Sequence, residues 1–295
     1  MSSKTLAKQL HQTTTTSFIN YALEKERWRH RYSVDKDTLI LPDLEDIRAM
    51  AMDFVHGHAV PLCPKRIQIS KLGSDKKRIL YVYPTPTRLM LKTVHYCLNQ
   101  KDSGLSPHCL AFRPGYSIHR AFRKIISAYR SSEACIRIDI KNYFNSIPAK
   151  QMISVLEQTH SDEPGLVFSL SQMLKDPQVI ENHTKKTDTQ KGVMAGMPLS
   201  PYLANHYLNS FDRLAAQRAR VYARYSDDMI FFCSPEDTNS LYQWIEEQLY
   251  LLGLKINENK SEIIAPESKW SFLGLSCHNG HIGLSDGSIK KMKGK

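Results

Sequence analysis

The clearest pattern in the chain is strict alternation. Ala134, Ile136, Ile138 and Ile140 fall on one side and Cys135, Arg137 and Asp139 on the other, which predicts a strand over 134–140 with one face in a core and Asp139 on the polar face. Between Val221 and Phe232, two runs rich in β-branched and aromatic residues flank Ser226-Asp227-Asp228, and this predicts a tight hairpin. A third signal lies between Ile67 and Pro84. Two alternating runs around Gly73-Ser74-Asp75 predict another hairpin, with Lys71 and Arg78 on opposite sides of the turn and Lys76 and Lys77 at or beside its tip.

Helical spacing marks the rest. Residues 17–31 predict an amphipathic helix with Ser17 as N-cap. Tyr21, Trp28 and, just past its end, Tyr32 stand among Arg27, Arg29 and Arg31, and that spacing favours burial in the core over stacking on nucleic acid. A second helix is expected over 43–58, after Pro42. Residues 200–217 predict a helix capped by Ser200, with Leu203, Tyr207, Phe211 and Leu214 on one stripe. Residues 237–252 predict another, with Leu241, Trp244, Ile245, Leu249 and Leu252 inward and Gly253 as its stop. A short strand over 254–257 follows. The order strand, helices, hairpin, helix, strand implies an α+β, ferredoxin-like split βαβ with an antiparallel sheet. Asp139 and the Asp227-Asp228 tip then meet at one edge of that sheet.

Composition narrows the function classes. The chain has 295 residues and a net charge of +11. Residues 1–130 hold 22 Lys/Arg against 10 Asp/Glu, and residues 131–295 hold 18 against 19, so the basic excess lies in the first part of the sequence. A polyanion held by a basic region beside an acidic catalytic region is the expectation. No apolar run approaches the length needed to span a bilayer, and the N-terminus has no signal-peptide block; no membrane role is expected. Six scattered cysteines, with no Cys-x-x-Cys pair, indicate neither a disulfide framework nor a zinc module, which points to a reduced cytoplasm. Cys277, His278 and His281 lack a fourth ligand at zinc spacing.

The candidate chemistry sits at the acidic tip. Asp227-Asp228 is a poor choice for a turn, because adjacent like charges repel and raise each other's pKa. A hard divalent cation removes the penalty and keeps open positions for phosphates.

Asp139-Ile140-Lys141-Asn142-Tyr143-Phe144 and Tyr225-Ser226-Asp227-Asp228 resemble motifs A and C of reverse transcriptases, particularly the prokaryotic group II intron, retron and defence-associated lineage. The resemblance covers roughly residues 60–275. Leu110-Ala111-Phe112-Arg113-Pro114-Gly115-Tyr116-Ser117 is similar to the family's Gly-Phe-Arg-Pro-Gly-Arg-Ser segment, with Ala111 and Tyr116 differing. Gly192–Leu208 is similar to motif B, with Ala195 in place of the usual Gln and with Gly196 and Pro198 retained. Leu254–Ile263 resembles motif D, and Ser271-Phe272-Leu273-Gly274 resembles the primer-grip motif E.

The resemblance implies a right-hand polymerase of fingers and palm with the thumb reduced or absent. The implied division is a basic extension with fingers over 1–130, a palm over 131–275 with a fingers insertion at about 150–195, and a thumb remnant over 276–295. The implied activity is RNA-directed DNA polymerisation with Mg²⁺, or Mn²⁺ in its place, bound at Asp139, Ile140, Asp227 and Asp228. Lys71 and Arg78 would grip the triphosphate, Phe144 would exclude a 2′-hydroxyl, Arg113 would touch template or phosphate, and Lys260 would act as general acid. Implied partners are a structured RNA template or scaffold, dNTPs, the DNA product, and a partner subunit or homo-oligomer replacing the thumb. A role in antiviral defence is a further expectation. Ala195 and the short C-terminus keep open a template-independent or protein-primed nucleotidyltransferase, and a catalytically silent polymerase-fold RNA-binding protein is a separate alternative.

Overall fold

The structure, a computed structural model, describes residues 5–31, 41–58, 63–70, 77–101, 104–188 and 192–293, with side chains from 30 and 31 left aside. The predicted tip Gly73-Ser74-Asp75-Lys76, the phosphate candidate Lys71 and Tyr32 lie outside the described residues. In chain order the elements begin with α1 (Leu6–Leu10), α2 (Thr13–Arg31), α3 (Leu44–His56), β1 (Lys65–Ser70), β2 (Lys77–Val82) and α4 (Thr85–Gln100). Next come α5 (Ile118–Ile126), β3 (Ala134–Asp139), α6 (Tyr143–Ser146), α7 (Ala149–Thr159), α8 (Pro164–Lys175), β4 (Gln178–Glu181) and β5 (Thr184–Thr187). The chain continues with α9 (Ser200–Tyr207), α10 (Asn209–Arg218), β6 (Val221–Tyr225), β7 (Asp228–Cys233) and α11 (Thr238–Leu251). It closes with β8 (Glu262–Ile264), β9 (Trp270–Phe272), β10 (Leu275–His278), β11 (His281–Leu284) and α12 (Asp286–Lys293). No described helix is long and apolar enough to cross a membrane.

Two compact units share the chain. The first comprises 1–103 and 147–203, the second 104–146 and 204–295. Residues 104–130 therefore fall in the second unit, whereas the charge pattern divides the sequence at 130.

The first unit packs α1–α4 with α8 around Leu6, Leu10, Ile19, Ile47, Phe54 and Leu89. Its sheet runs β2-β1-β4-β5, with β1 parallel to β4 and the other pairs antiparallel. The first hairpin forms as expected, with Ile69 opposite Arg78. Ser17, expected as a cap, lies inside α2, which starts four residues earlier at Thr13. Tyr21 and Trp28 are 60% and 62% exposed, so they are not the core contacts that the spacing favoured.

The second unit holds a four-stranded antiparallel sheet, β6-β7-β3-β8, and a three-stranded one, β11-β10-β9. Cys135, expected on the polar face of β3, is buried with Phe122, Phe232 and Trp270, so that end of the strand is covered on both faces. The expected strand over 254–257 is reduced to one bridge, Ile140 opposite Ile256; the strand on that side of β3 is β8. The expected helix 200–217 is two helices that break at Leu208, and Leu214 is exposed. Ser200 is the first residue of α9, not a cap; its hydroxyl donates back to Val193 O and Met194 O. α11 ends where predicted. Gly253 has φ +67°, its N–H reaching Tyr250 O and that of Leu254 reaching Leu249 O, a Schellman closure that needs a left-handed residue.

Candidate active site

The second hairpin places the acids. Tyr225 pairs with Asp228, leaving Ser226-Asp227 as a two-residue turn. Ser226 has φ +63° and Asp227 has no positive φ, the sign pattern of a type II′ turn, where glycine normally stands first. Holding serine there costs about 1–2 kcal/mol. β7 pairs with β3 so that Asp139 stands directly opposite Asp228, and the next link, Ile140 N–H to Asp227 O, is 3.2 Å. Directly opposed residues bring their Cβ atoms within about 5 Å, and like charges there are destabilising.

A charge beneath the turn holds it. Arg224 is fully buried, and its Nε and Nη2 donate to Asp212 Oδ1 and Oδ2, both at 2.7 Å. Asp212 is equally buried and also accepts from the Tyr222 hydroxyl at 2.7 Å. Arg224 Nη1 donates to Ser226 O at 3.2 Å and to Asn205 Oδ1 at 3.3 Å; Nη2 also reaches Cys109 Sγ at 3.2 Å. The buried guanidinium therefore ties the strained turn to α10 and to the segment before α5. A planar fork with five donors suits this task, and a lysine would not reproduce it.

Asp139 is gripped by one turn after α11. Asn257 Nδ2 donates to Oδ1 at 2.7 Å, Lys260 Nζ to Oδ2 at 2.8 Å, and Asp139 N–H donates to Ser261 Oγ at 3.0 Å. Both oxygens of Asp139 are thus engaged. Its bond to Asp139 raises the Lys260 ammonium above its usual range, so the charge stays on. Burial pushes the Asp228 carboxyl up to about 6, helped by the charges of Asp227 and Asp139. Asp227 is raised as well, by burial first and by Asp139.

The donor set fits a hard divalent cation: three adjacent carboxylates, two of them pushed toward the neutral form by burial and by one another's charge. Among the described residues no three acidic, His or Cys side chains are already gathered at ligand spacing. Lys260 supplies a single positive charge in their midst.

A family model described as reverse transcriptase (RNA-dependent DNA polymerase) matches residues 69–277. The chain belongs to the reverse transcriptase family. It is 23% identical over 241 residues to the retron Ec86 reverse transcriptase of Escherichia coli, across 78% of this chain and 68% of that one. Retron Ec83 reverse transcriptase, also of Escherichia coli, is 24% identical over 160 residues, 52% of this chain and 47% of its own length. The group II intron-encoded protein LtrA of Lactococcus lactis is 25% identical across 75% of this chain, which spans 36% of LtrA. These relatives fall in the prokaryotic lineage that the motifs suggest. In fold, the chain resembles apo telomerase from Candida tropicalis, with a TM-score of 0.58, 14% identity, and coverage of 92% of this chain and 53% of that one.

Within this reverse transcriptase-family chain, Phe144 sits half-buried on α6, five residues past Asp139, after a turn at Asn142 with φ +51°. Phe112 lies 6.5 Å from it and 6.4 Å from Tyr225, ring centre to ring centre. Phe112 is 42% exposed and has φ +57°, which is strained for an aromatic residue. Its sequence signal was weak, a ring in a loop.

Arg113 is committed to the protein itself: Nη1 donates to Ser106 O at 2.9 Å and to Cys109 O at 3.0 Å, while the guanidinium stacks on Tyr116. Arg137, one alternation before Asp139, bonds the Ser271 hydroxyl at 2.7 Å and Glu262 at 2.9 Å. With Asp228, Leu273, Gly274 and Asp286 it walls a cleft of about 490 Å³. Arg78, Gly196 and Pro198 belong to the first unit. There Gly196 has φ +106°, and a Cβ would lie 2.8 Å from Tyr81 O, while Ala195 O accepts from Tyr81 N–H at 2.9 Å. The missing Gln at 195 leaves that backbone contact intact.

Proposed function

We propose that this chain is an RNA-directed DNA polymerase that adds deoxynucleotides to a primer 3′-hydroxyl. In this reading the second unit is the palm, its β6-β7-β3-β8 sheet ferredoxin-like, and the first unit supplies the fingers. The observation that carries it is the cross-strand pair Asp139–Asp228 with Asp227 at the adjoining turn. A purely structural sheet gains nothing from opposing two carboxylates and adding a third.

Asp139, Asp227 and Asp228, with the main chain at Ile140, would hold Mg²⁺, or Mn²⁺ in its place; bound there, such ions supply charge neutralisation at the attacking and leaving oxygens. Lys260 must release Asp139 Oδ2 for that carboxylate to coordinate. Freed and still protonated, its ammonium becomes the proton donor to the departing pyrophosphate. Phe144, backed by Phe112, closes the space that a 2′-hydroxyl would need. Arg78, together with Lys71, neutralises the triphosphate. Arg113 shapes the template-side loop, and Gly196 and Pro198 give the loop before α9 its close approach to β2. The cleft walled by Leu273 and Gly274 receives the primer end. The partners are an RNA template, dNTPs and the growing DNA. Free thiols at all six cysteines suit a reducing compartment.

Extension of oligo(dT) annealed to poly(rA) tests the reading. Asp139→Asn and Asp228→Asn should each lower kcat by roughly a thousandfold or more while the variants melt cooperatively. Extension at the wild-type rate by either variant would overturn it.

A further inference from the structure

The outer face of α2 carries chemistry that polymerisation does not use. Tyr21 and Trp28 are seven residues apart, which places them about 20° apart around the helix and roughly 10 Å apart along its axis. Both are exposed, at 60% and 62%. Lys25 stands between them, its Nζ 5.8 Å from the centre of the Tyr21 ring.

Beside this stripe, the seam between α2 and α4 gathers positive charge. Glu26 is buried and accepts from Arg29 at 2.9 Å, from Arg88 at 2.7 Å and from Lys92 at 3.4 Å. One carboxylate thus organises three cations and leaves a surplus of two. Arg88 Nε is buried with no hydrogen-bond partner. Glu24 is the one acid on the exposed face of α2.

We infer that this α2–α4 face binds a single-stranded segment of RNA, stacking bases on Tyr21 and Trp28 and seating phosphates along Lys25, Arg29 and Arg88. The spacing decides between strand forms. Bases inside a duplex are stacked about 3.4 Å apart and hide their faces, whereas aromatics roughly 10 Å apart can each take one splayed base. The charge decides against a protein partner, since among the described residues of α2 only Tyr21 and Trp28 are large exposed apolar side chains, and the cations beside them match a phosphate backbone. That the strand is RNA rests on the polymerase reading proposed above.

The test is fluorescence anisotropy with a labelled oligouridylate of about 20 nucleotides, beside oligothymidylate of equal length. Trp28→Ala and Tyr21→Ala should each weaken oligouridylate binding roughly five- to a hundredfold, and Trp28→Phe should keep most of it, because stacking tolerates exchange of the ring. Lys25→Gln should lower the slope of log affinity against log salt by about 0.7, one phosphate of a single strand. All these positions are exposed, and kcat on annealed poly(rA)/oligo(dT) should stay at the wild-type value. Oligouridylate binding unchanged in both alanine variants would overturn the inference, as would equal or tighter binding of oligothymidylate. Self-association that Trp28→Ala abolishes, with RNA binding intact, would overturn it in favour of a protein interface. A chain that loses oligouridylate in Trp28→Ala yet never extends a primer keeps this surface and refutes the polymerase; the reverse result does the opposite.

Discussion

Asp228 is the residue at which the resting site is most strained. Its carboxyl is pushed up to about 6, against an unfolded value near 3.9, chiefly by burial and then by Asp227 and Asp139. In metal-free protein the folded state therefore binds more protons than the unfolded state between about pH 4 and pH 6. This group's contribution to stability is most favourable below the unfolded pKa and is lost as pH rises through 6. Asp228→Asn should stabilise EDTA-treated protein at pH 7.5 by about 1–2 kcal/mol, allowing for partial solvent access, and should shrink the gain on adding Mg²⁺. Thermal melts with and without Mg²⁺ measure this; an unchanged or lower melting temperature in EDTA would mean that no repulsion exists to relieve. At this scale the acids were legible, because strand alternation and an ill-suited turn pair are local signals. Asn257 and Arg224 were not. Asn257 meets its partner 118 residues away, and Arg224 sat on a strand whose both faces proved buried.

Among the elements, the β6–β7 hairpin couples stability to geometry through one buried ion pair. Arg224→Met leaves the Asp212 carboxylate buried with its guanidinium gone and only the Tyr222 hydroxyl donating to it, and should cost about 3–5 kcal/mol. Adding Asp212→Leu removes the orphaned charge, and the double variant should recover much of that stability. It should not recover activity, since Ser226 O still lacks its donor and the turn carrying Asp227 is unsupported. Urea melts and single-turnover extension separate the two effects; full recovery of kcat in the double variant would mean that the guanidinium only fills space. Hairpins and α11 were readable from period and turn chemistry. The break between α9 and α10 was not, because no Gly or Pro marks it and Leu208 continues the apolar stripe. β8 escaped too. Glu262-Ile263-Ile264 is a three-residue edge strand whose exposure does not alternate.

For the whole molecule, folding redistributes the charge seen along the sequence. The first unit holds 22 Lys/Arg against 16 Asp/Glu and the second 18 against 13, net +6 and +5. Both units can therefore meet a polyanion. The overall class was legible because the motifs lie in the second unit and around β1–β2; the division into units was not, because both are discontinuous. A fragment of residues 1–130, cut where the charge changes, should show no cooperative melt by circular dichroism, and a sharp transition would contradict the division. The same interleaving bears on how the chain is made. β1 leaves the ribosome long before β4, its parallel neighbour, and the first unit is complete only when Leu203 has emerged. At about 5–20 residues per second, the roughly hundred residues between the end of β1 and the start of β4 take about 5–20 s to synthesise. Throughout that interval one side of β1 is an unpaired strand edge, so the nascent chain passes through an aggregation-prone state before the β6–β7 hairpin exists.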